Sequence, residues 1–241
     1  MTTQAENTGQ SEAAKLAACI QHTIISNALT TPQWEAHVTD CLRYGFHAAM
    51  VPPAWVAWTA QTLRGSRVRT ASFVDFPLGT MTSVGKAFET VRLVEAGAQE
   101  VDLMPNVGFL LSGMEKEYFE DIRGVVAAAG DVPVKIMLEL PLLNETQKKR
   151  AVELSVEAGA TYLKNASGGA VGAATPEQIR FLRELAPARV HIKASGGIKS
   201  AKIVRELLAA GAELVGTSSG VAIIREVLGM ESGGEGRGAA Y

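Results

Sequence analysis

Little in this chain points to a covalent staple, a membrane or a polyanionic partner. Its 241 residues include two cysteines, Cys19 and Cys41, at a spacing that fits neither a metal site nor a redox pair. Four histidines, His22, His37, His47 and His191, show no metal-ligand spacing either. No apolar run reaches membrane-spanning length, and no basic segment followed by an apolar stretch opens the chain. Basic and acidic residues nearly cancel, 23 against 25, so there is no electrostatic footprint for nucleic acid. No glycine-rich dinucleotide loop follows a first strand, which excludes a Rossmann reading. These absences predict a cytoplasmic protein with reduced thiols.

What is present is an alternation. Apolar residues make up 47% of the chain, enough for a sizeable core. Eight short apolar runs, at 24–25, 48–51, 68–73, 100–103, 134–138, 161–164, 190–193 and 214–216, read as strands. Helical patterns lie between them, for example at 32–44, 81–96, 145–158, 176–185 and 200–210. Thr31-Pro32, Asn144-Glu145 and Thr175-Pro176 are start signals. The repeated Ala-Gly-Ala at 96–98, 158–160 and 210–212 reads as a helix stop followed by the next strand. Alternation of this kind predicts an α/β fold with a parallel sheet, closed as a (β/α)₈ TIM barrel spanning 11–228. An open doubly wound sheet is the alternative. Residues 1–10 read as a flexible N-terminus and 229–241 as a flexible glycine-rich tail. For that tail two readings stay open: its last residue, Tyr241, reaching over the barrel mouth to assist proton transfer, or a terminus without a role.

A parallel barrel gathers its chemistry at the C-terminal ends of its strands. Two of those ends carry lysines, Lys164 and Lys193, on consecutive strands. Side by side, the two ammonium groups would lower the pKa of at least one of them. A neutral lysine amine attacks carbonyls and forms a Schiff base. Asp102, inside the apolar run Val101-Asp102-Leu103, needs a buried partner, and a lysine of the pair is the obvious one. The functional reading is proton transfer through Asp102 and Lys193; the alternative is a structural ion pair. Lys135 and Glu139 read as a mostly structural pair. His191 falls on the same side of its strand as Lys193, with a filling role favoured, and His22 could face the site. Ser195-Gly196-Gly197 and Gly216-Thr217-Ser218-Ser219-Gly220 follow strands seven and eight. Small residues there, leading into a short helix, suit a phosphate. The candidate binding residues are Gly196, Gly197, Ser218, Ser219, Thr23, Asn165 and Ser167.

With those residues in place, the chain resembles the deoxyribose-phosphate aldolase family from about His22 to Leu228. The resemblance rests on Phe76-Pro77-Leu78-Gly79, Val101-Asp102, Asp121-Ile122-Arg123, Glu157-Ala158-Gly159-Ala160 with Lys164, Lys193-Ala194-Ser195-Gly196-Gly197-Ile198 and Gly216-Thr217-Ser218-Ser219-Gly220-Val221. It implies a class I aldolase without metal or other cofactor, joining acetaldehyde to glyceraldehyde 3-phosphate and running the reverse. It also implies Lys164 as the Schiff-base lysine, Lys193 as the lysine that perturbs it, and Asp102 as the acid–base group. The implied partners are small aldehydes and sugar phosphates; barrels of the family form monomers, dimers and larger assemblies, of which a homodimer is the expectation here, and composition points to neither nucleic acid nor membrane. Departures lie close to the site. Gln21 stands where the family has Asp, Ser26 where it has Lys, Met50 where it has Cys, Pro52 where it has Asn, and Asn165-Ala166 where it has Thr-Ser. Two further readings therefore stand beside the main one: an aldolase with another donor or acceptor, and a sugar-phosphate-binding barrel without catalysis.

Overall fold

The computed structural model describes residues 4–168 and 171–230. Eight parallel strands form a closed barrel in chain order: β1 (Ile20–Thr23), β2 (Ala48–Met50), β3 (Arg69–Val74), β4 (Glu100–Leu103), β5 (Val134–Met137), β6 (Tyr162–Lys164), β7 (His191–Ser195) and β8 (Leu214–Thr217), which pairs back onto β1. Around them run α1 (Gln4–Ala17), α2 (Thr31–Tyr44), α3 (Val56–Thr62), α4 (Ser83–Glu95), α5 (Val107–Leu111), α6 (Glu115–Ala129), α7 (Glu145–Glu157), α8 (Pro176–Leu185), α9 (Ala201–Ala209) and α10 (Gly220–Val227). The closed barrel replaces the open-sheet alternative. No helix among the described residues is long and apolar enough to cross a membrane.

Local chemistry explains the boundaries. Asn144 Oδ1 accepts from Gln147 N at 2.9 Å while Gln147 Oε1 accepts from Asn144 N at 3.0 Å, a reciprocal cap that starts α7. Thr175 and Gln178 make the same arrangement at α8. The first of the expected caps moves by one residue: Thr30, not Thr31, caps α2. Gly97, Gly159 and Gly211 follow the ends of α4, α7 and α9, where the Ala-Gly-Ala repeat predicts helix stops.

Two expectations need correction. The first strand is Ile20–Thr23, ahead of the apolar pair Ile24-Ile25. Residues 4–10, read as flexible, belong to α1, whose Ala13, Leu16 and Ala17 are buried against the barrel and whose Glu12 pairs with Arg205 at 2.7 Å. Tyr241, with the rest of 231–241, lies outside the described residues.

The main core is the layer between strands and helices. Val101, Leu103, Val134, Ile136, Leu163, Ile192 and Val215 point outward into it and are almost wholly buried. Alternation sends their neighbours into the barrel interior. There the composition divides. Ala48, Met50, Ala71 and Phe73 form a small apolar cluster on β2 and β3, with Ile25 and Phe76 packed on it. The remaining wall is mostly polar, with Gln21, Glu100, Asp102, Lys135, Lys164 and Lys193 all buried beside Met137 and Leu214.

Candidate active site

Strand register brings the two lysines together. Lys164 and Lys193 are direct partners across β6 and β7. Both amines converge on one oxygen, Asp102 Oδ2, with Lys164 Nζ at 3.0 Å and Lys193 Nζ at 2.6 Å. Lys135 Nζ stands 3.8 Å from the other oxygen, Oδ1, which has no hydrogen-bond partner among the described residues. One oxygen of the carboxylate thus binds the lysine pair, while the other is buried on the side of Lys135. Below this layer Glu100 receives Lys135 at 2.8 Å, Gln21 Nε2 at 3.0 Å, and Arg69 and His47 at 2.7 Å each. Lys193 also donates to Gln21 Oε1.

Burial and charge set the protonation of this cluster. Burial disfavours the charged form of Asp102, but the Lys193, Lys164 and Lys135 ammonium groups outweigh it and hold the carboxyl well below its ordinary range. Glu100 behaves alike: burial opposes its charge, and Lys135 and His47 more than restore it. Lys193 is pulled down to about 7, first by burial, with Lys164 and Lys135 adding to the fall and Asp102 only partly offsetting it.

Gly216 of β8 makes room for that lysine. A Cβ there would lie 3.1 Å from Lys193 Cε and 3.6 Å from its Nζ. The β7 loop is as tightly placed: Gly196 has φ of +111°, and a Cβ on it would meet Gly172 O at 2.5 Å. Thr217 joins the two small-residue loops, donating to Ile198 O at 2.6 Å and accepting from Ser219 N at 2.9 Å. Ser218 and Gly197 are exposed, while Ser219, the residue before α10, makes no side-chain cap.

The other candidates are placed as follows. Asn165 is buried, and its amide is engaged: Oδ1 accepts from Ser195 N at 2.8 Å, and Nδ2 donates to Ser195 O at 3.2 Å and to Gln178 at 3.0 Å. It clamps the loop after Lys164 to the loop after Lys193. Ser167 gives its N–H and hydroxyl to Glu139, whose carboxyl is raised by burial against those bonds. Thr23 donates to Gln21 O at 3.1 Å at the end of β1. Lys135 does not pair with Glu139; its partner is Glu100. His191 sits at the opposite mouth, against Glu213 and the Tyr162 ring. His22 faces outward, stacked on His37 at 4.7 Å, so it does not face the site. Glu100 is the member the sequence does not single out; Gln21 enters there only as a departure from the family and Gly216 only within the loop after strand eight, although alternation from Ile20 turns Gln21 inward. No group of three or more His, Cys, Asp or Glu among the described residues could hold a metal ion.

A closed parallel barrel with two lysines and a carboxylate buried at the C-terminal strand ends defines an enzyme of carbonyl chemistry. Residues 28–229 match the model of the DeoC/LacD family aldolases, and the chain belongs to that family. It is 40% identical over 210 residues to a deoxyribose-phosphate aldolase of Geobacillus sp. (strain WCH70), covering 87% of this chain and 94% of that protein. Identity to one from Streptococcus suis (strain 98HAH33) is also 40% over 210 residues, covering 87% and 96%. Among solved structures, the tetrameric deoxyribose phosphate aldolase of Aeropyrum pernix superposes with a TM-score of 0.82 at 28% identity, covering 94% of this chain and 98% of that one.

Proposed function

We propose that this aldolase works through a Schiff base on Lys164 and reversibly cleaves 2-deoxyribose 5-phosphate to acetaldehyde and glyceraldehyde 3-phosphate. The observation that carries the reading is the sharing of Asp102 Oδ2 by Lys164 and Lys193 on paired strands. Lys164 attacks the aldehyde carbon of the open-chain sugar as a free amine, its proton passing to the Asp102–Lys193 pair. Water leaves and an iminium forms. The Asp102–Lys193 pair takes the proton of the C3 hydroxyl through a water. The C2–C3 bond then breaks, its electrons entering the iminium to give an enamine, and C3 leaves as the aldehyde of glyceraldehyde 3-phosphate. Lys193 returns a proton to C2, and hydrolysis frees acetaldehyde and Lys164.

Glycines 196 and 197 with Ser218 and Ser219, around the start of α10, are the proposed phosphate seat, where the helix N-terminus favours an anion. Ser167 and Thr23 line the same end of the barrel. Asn165 acts by holding the two loops in register. The direct test follows acetaldehyde and glyceraldehyde 3-phosphate released from deoxyribose 5-phosphate by coupled enzyme assays. Stoichiometric release of both supports the reading; failure to release either contradicts it. A second reading, an aldolase with a less polar acceptor, is favoured by one observation: Met50, Phe73 and Phe76 make an apolar wall where Met50 replaces the family's cysteine. Faster turnover of a non-phosphorylated aldehyde than of glyceraldehyde 3-phosphate in the joining direction would select it.

Gly216→Ala tests the packing under Lys193. The added methyl displaces the amine by a few tenths of an ångström or more, so kcat is expected to fall roughly ten- to hundred-fold, with the melting temperature little changed. Unchanged kcat would mean that the placement of Lys193 is not critical.

The proposed assembly is a homodimer through α4. Val84, Phe88 and Val91 recur at helical spacing on one exposed face, with Val84 80% and Phe88 68% exposed, and Leu78 and Met81 of the preceding loop are exposed as well. Lys86 of the same helix turns inward to Asp121 at 2.7 Å, and Arg92 with Glu95 closes the stripe with opposite charges. Such a face can meet itself about a twofold axis without opposing like charges. The parent is expected to sediment as a dimer and Phe88→Asp as a monomer; a monomeric parent would contradict it. Cys19 and Cys41, both free, fit a reducing cytoplasm.

A further inference from the structure

We infer that Gln21 is a positioning residue: its carboxamide bridges Glu100 to Lys193 without charge and, by withholding a second carboxylate from Lys193, leaves that lysine free to carry protons. The inference rests on the aldolase reading for its catalytic meaning and on geometry for its physical content.

Gln21 is wholly buried in the barrel interior, on β1 between Ala48 of β2 and Gly216 of β8. Its Nε2 donates to Glu100 Oε2 at 3.0 Å and its Oε1 accepts from Lys193 Nζ. A carboxylate such as Glu100 can only accept, and an ammonium can only donate. A carboxamide satisfies both at once. A carboxylate at position 21 would satisfy Lys193 but oppose Glu100, which already receives Lys135, Arg69 and His47.

The charge count around Lys193 gives the bridge its effect. From β4 it faces Asp102 at 2.6 Å, with Glu100 behind Gln21. Lys164 on β6 and Lys135 on β5 surround the same aspartate, and β8 contributes Gly216, with no side chain. Three ammonium groups thus share two carboxylates, and Glu100 is spent largely on the lower mouth. A second anion in contact with Lys193 would favour its charged form. The neutral amide fixes the side chain against Asp102 and withholds that anion.

The experiment compares the parent protein with Gln21→Glu, which adds charge at nearly constant shape, and Gln21→Met, which removes the bridge without adding charge. Lysine labelled with carbon-13 at Cε is titrated by NMR, the Lys193 resonance being assigned through Lys193→Met, and kcat/KM for deoxyribose 5-phosphate is measured against pH. In Gln21→Glu the Lys193 midpoint and the acid limb of kcat/KM are expected to rise together by at least one pH unit. In Gln21→Met the midpoint is expected not to rise, while kcat falls. Should Gln21→Glu not fold, Gln21→Asp carries the same charge on a shorter arm and is read the same way. A midpoint unmoved by the acidic residue, or raised equally by Met, would overturn the inference. A parent protein inactive on deoxyribose 5-phosphate would instead contradict the substrate reading, and the titration would still decide the role of Gln21.

Discussion

Lys164→Met is expected to lower cleavage of deoxyribose 5-phosphate by on the order of 10⁴-fold or more, the scale at which loss of a covalent nucleophile stops an enzyme. Without its amine no iminium forms, and the C2–C3 bond has no electron sink. Lys193 cannot take over readily. It is more deeply buried than Lys164 and is held between Asp102, Gln21 and the backbone of Gly216. The fold should survive, because Asp102 keeps Lys193 at 2.6 Å and Lys135 at 3.8 Å when Lys164 is gone. Methionine also fills a similar volume. Steady-state kinetics and circular dichroism check both halves. A folded variant retaining a tenth of the parent rate would remove Lys164 from the covalent role.

Asp102→Ala is expected to carry the largest stability loss, about 3–5 kcal/mol at neutral pH, since it strands buried ammonium groups without their carboxylate. Its size should depend on pH, and the direction follows from the groups themselves. Asp102 is held well below its ordinary value, so its contribution is present above the unfolded carboxylate pKa and is lost as pH falls into the acid range. Lys193 runs the other way. Below about 7 it is charged in folded and unfolded chains alike and imposes its full burial cost. Between that value and the ordinary lysine range the unfolded chain binds more protons, so stability rises with pH. The deficit of Asp102→Ala is therefore expected to narrow from pH 6 to pH 9, as Lys193 sheds its charge. Urea unfolding at the two pH values measures it. A deficit equal at both would show that the stranded ammonium is not its cause. His22 and His37, both lowered chiefly by burial, add to the acid sensitivity of the parent, because unfolding lets them take up protons.

The barrel was legible because its outward-facing strand residues are apolar and its helices begin with capping residues and stop at glycines. The lysines and Asp102 were legible for the opposite reason: charge inside an apolar strand has to be accounted for. The same criterion failed at β1. Much of this barrel's interior is polar, so the strand carrying Gln21 is a weaker apolar run than the loop pair Ile24-Ile25 that follows it, and Gln21 stands out only as a departure from the family. Lys135 lies on β5, which ends at Met137, whereas Glu139 lies beyond it with a left-handed backbone, φ of 51°. Each finds its partner on a neighbouring strand or the loop after one: Lys135 at Glu100 of β4, Glu139 at Ser167 after β6. Asn165 has the chemistry of a ligand contact, and only the placement of Ser195 shows its amide engaged within the protein. Such partners come from strand register, which spacing along the chain does not encode.

The most direct test of the account is borohydride trapping with deoxyribose 5-phosphate, followed by peptide mass spectrometry. The expected result is a reduced adduct confined to Lys164, absent from Lys164→Met. An adduct on Lys193, or turnover of the sugar phosphate with no trapped lysine, would contradict it.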